Sequence, residues 1–137
     1  MMQTQQLQPD SMLIAKLRAA LPNLLSIHAF GSQVQGTAGP DSDLDLAVLV
    51  AGMVDPLLLW QLSGELAELV GCGVDLLDLR AASTVMQYQV ITTGRQLWAQ
   101  QPAAGLFECF VLSEKTALDQ ARAGLLEDIA KDGRVYG

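Results

Sequence analysis

The chain has 137 residues, of which half are hydrophobic and 17% are charged. This length suits one domain, and the composition excludes global disorder. Fifteen acidic residues against eight basic ones give a net charge of −7, which argues against direct nucleic-acid binding, because that needs a positive surface. From the polar first residues and the short apolar runs we expect no secretory leader and no membrane span, and Cys72 and Cys109 lack metal-ligand spacing. We therefore expect a cytoplasmic protein with reduced thiols and no membrane contact.

Helices and short strands alternate along the chain. The first helix is expected to begin at a cap on Asp10 or Ser11 and to end before Pro22. A glycine-rich loop is expected over residues 31–42. Strands are expected over 24–30, 43–50, 74–79 and 95–98, and further helices over 54–70, over 83–92 and in the last region.

This order predicts a single α/β or α+β domain over residues 1–137. Its core would span about residues 11–98, and a C-terminal helical region would follow over about 102–132. We expect a small mixed sheet, with the flanking helices packed on one side.

Asp43 and Asp45 are two residues apart at the start of a predicted strand, so both side chains should project from the same face. Two carboxylates this close repel each other unless a cation lies between them. Hard oxygen ligands suit Mg²⁺, with Mn²⁺ as a second choice. Upstream, Gly31 and Ser32 directly follow a predicted strand, where glycine lets backbone N–H groups face a phosphate. A phosphate loop beside a metal site is the equipment for nucleotidyl transfer.

A third carboxylate would complete the site, and the next predicted strand offers Asp75 and Asp78. Asp75 is flanked by apolar residues, where a charge without a partner is costly. We therefore assign Asp75 as the third metal ligand and general base. Asp78 has the opposite parity, and we expect it to cap the following helix or to pair with Arg80.

Gly31-Ser32, ten further residues and then Asp43-Leu44-Asp45 resemble the signature of the DNA polymerase β-type nucleotidyltransferase superfamily. The short chain, Gly36 and the later Val-Asp-Leu-Leu-Asp-Leu stretch resemble the minimal nucleotidyltransferase (MNT) antitoxins. These antitoxins are encoded beside HEPN-domain ribonuclease toxins in prokaryotes. The resemblance covers about residues 13–98 and implies a polymerase β-like fold.

The resemblance also implies a catalytic role for the core. Asp43, Asp45 and Asp75 would bind two Mg²⁺ ions. The reaction would transfer AMP from ATP to a tyrosine of a cognate HEPN toxin, with which the chain would form a hetero-oligomer. The nucleotide-binding residues would be Gly31, Ser32, Gly36 and Ser42.

One departure from the family concerns the phosphate loop. Many relatives carry basic residues where this chain has Gln33 and Gln35. The charge of the triphosphate would then have to be met by metal and backbone, or by Arg80 or Arg95 from elsewhere. His28, in the first predicted strand, is expected to be a structural residue.

Two other functions are compatible with the sequence. The chain could neutralise a toxin by masking it without catalysis, and the high apolar fraction suits such a partner surface. It could instead modify a small molecule, although only 39 residues (137 − 98) follow Trp98 to build an acceptor site. Loss of neutralisation on replacing Asp43 or Asp45 would distinguish the enzyme from the masking protein.

Overall fold

The structure is a computed structural model, and it describes residues 11–36 and 42–132. Asp10, one of the two expected caps, lies outside these residues. Ser11 is the cap of the first helix, because its hydroxyl accepts a hydrogen bond from the backbone N–H of Ile14 at 3.3 Å. The elements in chain order are α1 Met12–Ala20, β1 Leu24–Phe30, α2 Ser32–Gln35, β2 Leu44–Val50, α3 Pro56–Val70, β3 Val74–Asp78, α4 Thr84–Thr93, β4 Arg95–Ala99 and α5 Ala103–Asp132.

Within the described residues, the strands form one four-stranded sheet in the order β3-β2-β1-β4. β1 pairs with β2 and with β4 in antiparallel orientation, whereas β2 and β3 are parallel. The parallel pair needs a crossover connection, which α3 supplies. The predicted mixed sheet and mixed α/β class are therefore confirmed.

Helices cover both faces of the sheet, so the expectation that they pack on one side is wrong. On one face α1 and α3 bury residues such as Leu17 and Leu66 against Leu46 of β2. On the other face α4 and α5 bury Val90 and Val111 against Leu49 of the same strand. The physical reason is the composition of β2: after Asp45, both its odd and its even positions are apolar, so both faces must be shielded from water.

Only the first turns of the C-terminal helix α5 are buried against the sheet. Its first turns pack onto the sheet through Ala104, Phe107 and Val111, which are buried. From Leu112 to residue 128 every described side chain is exposed or half-buried, including Leu125 and Leu126. No helix in the described ranges is long and apolar enough to cross a membrane.

A buried polar contact joins β1 to α5. The His28 side chain is only 3% exposed, and its Nε2 lies 3.5 Å from Oε1 of Glu108. Burial lowers the pKa of His28 below 6.5, although the nearby Glu108 carboxylate acts in the opposite direction. The imidazole is therefore held neutral in the folded chain, in agreement with a structural role.

We predict that the native state loses stability as the pH falls below 6.5, the ordinary pKa of histidine. The unfolded chain then binds a proton that the buried imidazole resists, so acidification favours unfolding. A His28→Gln variant should show a flatter dependence of its unfolding free energy on pH between 7 and 5 in urea titrations. Since the chain has one histidine, an identical slope in both proteins would contradict this account.

Candidate active site

The chain turns sharply at the end of β1. Gly31 has φ of 77° and forms the N-cap of α2, and Gly36 ends α2 in the left-handed conformation. The expected loop over residues 31–42 therefore begins with one helical turn, of which Ser32 is the first residue. Residues 37–41 of that loop, including Gly39, lie outside the described part of the chain. Backbone conformations with positive φ favour glycine, which explains both positions.

The parallel register of β2 and β3 brings two of the predicted carboxylates together. Asp45 lies directly opposite Asp75, and Asp43 precedes β2 at the same end. The Asp75 carboxylate lies close enough to accept a hydrogen bond from the Asp45 carboxyl group when Asp45 is protonated. Asp75 is exposed, because β3 is an edge strand, so the expected cost of burying its charge does not arise. Its accessibility suits contact with a second molecule.

The surroundings of Asp45 oppose its ionisation. Its pKa is raised above 3.8, first by partial burial and then by the negative charges of Asp75 and Asp43 and by the hydrogen bond to Asp75. All of these causes act in the same direction. The folded chain therefore holds three like charges near one another at a cost to its own stability.

Two glycines make room for these carboxylates. A Cβ atom at Gly31 would collide with the Asp45 carboxylate, and one at Gly73 would collide with the Asp43 carboxylate. Gly73 also holds the start of β2, because its carbonyl accepts the Leu44 backbone N–H at 2.8 Å. Gly73 was not identified from the sequence as a site residue, so its role beside Asp43 was missed. The sequence signal that could have pointed to Gly73 is its position two residues before Asp75.

A divalent cation fits this set of donors. The carboxylate oxygens are hard ligands, and a cation among them would remove the repulsion that raises the Asp45 pKa. In the described ranges, no group of three His, Cys, Asp or Glu side chains is arranged to hold a metal ion. Mg²⁺ commonly binds through one or two carboxylates and substrate phosphates, so phosphate oxygens would complete its coordination here.

The other predicted residues occupy different places. Ser42 is half-buried and directly precedes Asp43, whereas Gly36 is exposed at the end of α2. Asp78 caps the turn after β3, as expected, by accepting the Arg80 backbone N–H at 3.2 Å. It also accepts the Val54 backbone N–H at 2.9 Å.

The two candidate arginines lie at opposite ends of the sheet. The Arg80 side chain donates to the Val50 carbonyl at 3.1 Å, and Val50 ends β2 whereas Asp45 lies near its start. The expectation that Arg80 could meet the negative charge of the triphosphate is therefore wrong. Arg95 pairs with Ala29 in register, at the same end of the sheet as the carboxylates. Because of this position, Arg95 stays a candidate for meeting the charge of the triphosphate.

We predict that Asp45→Asn raises the melting temperature of the metal-free chain at pH 7. The amide removes a charge whose ionisation the fold opposes. Thermal unfolding in the presence of a chelator measures this effect. The control is Glu68→Gln on the exposed face of α3, which should change stability by less than about 0.5 kcal/mol. A lower melting temperature for Asp45→Asn would contradict the proposed repulsion.

We also predict that Gly73→Ala weakens Mn²⁺ binding by roughly 10-fold or more, because the new methyl group displaces the Asp43 carboxylate. Electron paramagnetic resonance of Mn²⁺ added with nucleotide measures the affinity. Gly64→Ala is the matched control: Gly64 lies within α3 with open space around it, so alanine there should stabilise by about 0.5–1 kcal/mol and leave Mn²⁺ affinity unchanged. Equal affinities in both variants would refute this role for Gly73.

Comparisons with known proteins agree with this geometry. The family model described as "Polymerase beta, Nucleotidyltransferase" matches residues 13–103. Protein adenylyltransferase MntA of Shewanella oneidensis is 41% identical over 120 residues, which are 88% of this chain and 86% of the relative.

Solved structures show the same similarity. A chain in the crystal structure of a toxin–antitoxin with AMP-PNP is 41% identical, with a TM-score of 0.75, over 86% of this chain and 96% of that one. A chain in the complex of tri-AMPylated Shewanella oneidensis HEPN toxin with MNT antitoxin is 37% identical, with a TM-score of 0.73, over 93% and 99% of the two chains. The chain therefore belongs to the polymerase beta nucleotidyltransferase family.

Proposed function

We propose that this chain is an antitoxin that transfers AMP from ATP to a tyrosine hydroxyl of a cognate HEPN toxin. The observation that carries the proposal is the pairing of Asp45 with Asp75 beside Gly31 in a chain that is 41% identical to an adenylyltransferase. The AMPylated toxin and the AMP-PNP in the related complexes support the acceptor and the nucleotide. The reaction takes place in the cytoplasm, where ATP and Mg²⁺ are available.

Each predicted site residue has a role in this proposal. Asp43, Asp45 and Asp75 would hold the two Mg²⁺ ions that the family resemblance implies, and Mn²⁺ could take the place of Mg²⁺. When bound, the metal neutralises phosphate charge and activates the attacking hydroxyl. The nucleotide phosphates lie against the turn at the end of β1, where the binding residues are Gly31, Ser32, Gly36 and Ser42.

The carboxylate of Asp75 acts as the general base. It takes the proton of the tyrosine hydroxyl as that oxygen attacks the α-phosphorus of ATP. A new bond forms between the tyrosine oxygen and the α-phosphorus, and the bond from this phosphorus to the bridging oxygen of the β-phosphate breaks. Pyrophosphate is released. The exposure of Asp75 on an edge strand leaves it accessible to a side chain of another protein.

The partner in this proposal is the HEPN toxin, in a hetero-oligomer. The chain exposes large apolar side chains, which is typical of a subunit that forms a complex. Trp60 on α3 is 79% exposed, and Leu106 on α5 is 67% exposed. Both residues lie on helices and neither is a predicted site residue, so substituting them tests partner binding without removing a proposed metal ligand.

We predict that the cognate toxin gains the mass of one or more AMP groups when it is incubated with this chain, ATP and Mg²⁺. Asp75→Asn should slow the transfer by about 10²-fold to 10⁴-fold, because the general base is lost. Asp45→Asn should abolish it by removing a metal ligand. Intact-mass spectrometry of the toxin measures both effects, and a chelator should stop the reaction in the unaltered chain.

Two controls separate transfer from masking. Glu68→Gln should transfer AMP at the unaltered rate, and all variants should still form the complex in size-exclusion chromatography. If the toxin is inhibited without any gain of mass, the chain is a masking antitoxin and the catalytic proposal fails. If Asp45→Asn and Asp75→Asn keep full activity, the assigned residues are wrong.

A further inference from the structure

A groove lies beside the carboxylates on the face of the sheet that α4 covers. Its volume is about 380 Å³. The end of β1 contributes Phe30 and Gly31 to its wall, and α4 contributes Met86 and Gln89. It therefore starts at the glycine that contacts Asp45, and its opposite wall is a helix. None of the predicted site residues except Gly31 lines it.

The strand register places this groove on one side of the reacting centre. Asp75 lies opposite Asp45, and Asp45 lies opposite Phe30, so the three follow one another across β3, β2 and β1. Directly paired residues share a face of the sheet, and adjacent strands are about 4.8 Å apart. The groove is thus about one strand beyond Asp45, on the side away from Asp75. An acceptor hydroxyl must approach Asp75, so the groove belongs to the nucleotide.

The lining of the groove suits a planar, aromatic ring. Phe30 is half-buried, and Met86 is 39% exposed, so apolar surface is left uncovered next to the phosphate-binding turn. Methionine adapts to irregular contacts and interacts favourably with aromatic rings. A nucleobase is the aromatic part of a nucleotide and would cover this surface. The sugar would lie between it and the metal-bound phosphates.

Gln89 supplies a polar group with a specific pattern of hydrogen-bond donor and acceptor. It is exposed and lines the groove, so its amide side chain can reach a ligand there. A glutamine amide offers both a donor and an acceptor. The adenine edge presents the N7 acceptor and the N6 donor, which one amide can satisfy together, whereas guanine presents two acceptors there, N7 and O6. The Gln89 amide can therefore make two hydrogen bonds to adenine, whereas with guanine its carbonyl oxygen faces a second acceptor.

We propose that this groove binds the base of the nucleotide, and that Gln89 selects adenine over guanine. The inference rests on the proposed function, since it places the base of the transferred AMP. It assigns a specificity-determining residue that the sequence did not indicate.

The test is direct binding of ATP and GTP to the full chain in the presence of Mg²⁺, measured by calorimetry without any toxin. The unaltered chain should prefer ATP. Gln89→Leu keeps the approximate size but removes both hydrogen bonds, and it should reduce the preference by about 10-fold to 100-fold. Gln89→Arg should shift the preference towards GTP, because arginine donates to both N7 and O6 of guanine. Gln120→Leu, on the exposed part of α5, is the matched control and should change nothing.

Steady-state AMP transfer to the toxin supplies a second measurement. Gln89→Leu should raise the KM for ATP and leave kcat nearly unchanged, because the residue does not touch the reacting atoms. An unchanged ratio of ATP to GTP affinity in both Gln89 variants overturns the inference, as does an unaltered chain without preference. If transfer to the toxin fails while the Gln89-dependent preference persists, the proposed function fails and the base site stands. If transfer occurs and the variants keep the preference, only the base site fails.

Discussion

The repulsion among three carboxylates is the constraint on which the rest of the site depends. The parallel register of β2 and β3 fixes Asp45 against Asp75, and Asp43 joins them from the residue before β2. The raised pKa of Asp45 is the direct consequence. A fold that keeps like charges together loses stability, and a divalent cation with a nucleotide would restore it. Cation binding and substrate binding are therefore coupled by electrostatics before any chemistry begins.

The fold bears this cost because its core lies apart from the charges. The same strand that carries Asp45 continues with Leu46, Val48 and Leu49, which are buried on its two faces. α1 and α3 shield one face and α4 and α5 the other, so the strand is held from both sides. The carboxylates lie at one end of the sheet, where Gly31 and Gly73 leave space for them. Rigid packing along β2 thus positions charges that would otherwise move apart.

The sequence predicted the mixed sheet, the nucleotidyltransferase family and the order of helices and strands apart from the short α2, which was expected to be loop. Hydrophobic periodicity and the Gly-Ser and Asp-x-Asp spacing are local signals. It did not predict which strand forms the edge of the sheet, so Asp75 was expected to be buried and is exposed. The position of Arg80 at the far end of β2 also depends on strand order. Gly73 and Gln89 were missed because the residues around them are distant in sequence. The surroundings of Gly73 depend on the register between β2 and β3, and those of Gln89 on the groove between β1 and α4.

The measurement that tests the central claim most directly is the pKa of the Asp45 carboxyl group, followed by ¹³C nuclear magnetic resonance with and without Mg²⁺ and a non-hydrolysable ATP analogue. Without metal, the account predicts a pKa above 3.8, the ordinary value for aspartate. With both ligands bound, the pKa should fall below that value, because the cation stabilises the ionised form. A pKa of Asp45 that is not raised in the free chain, or that does not respond to Mg²⁺ and nucleotide, would contradict the account.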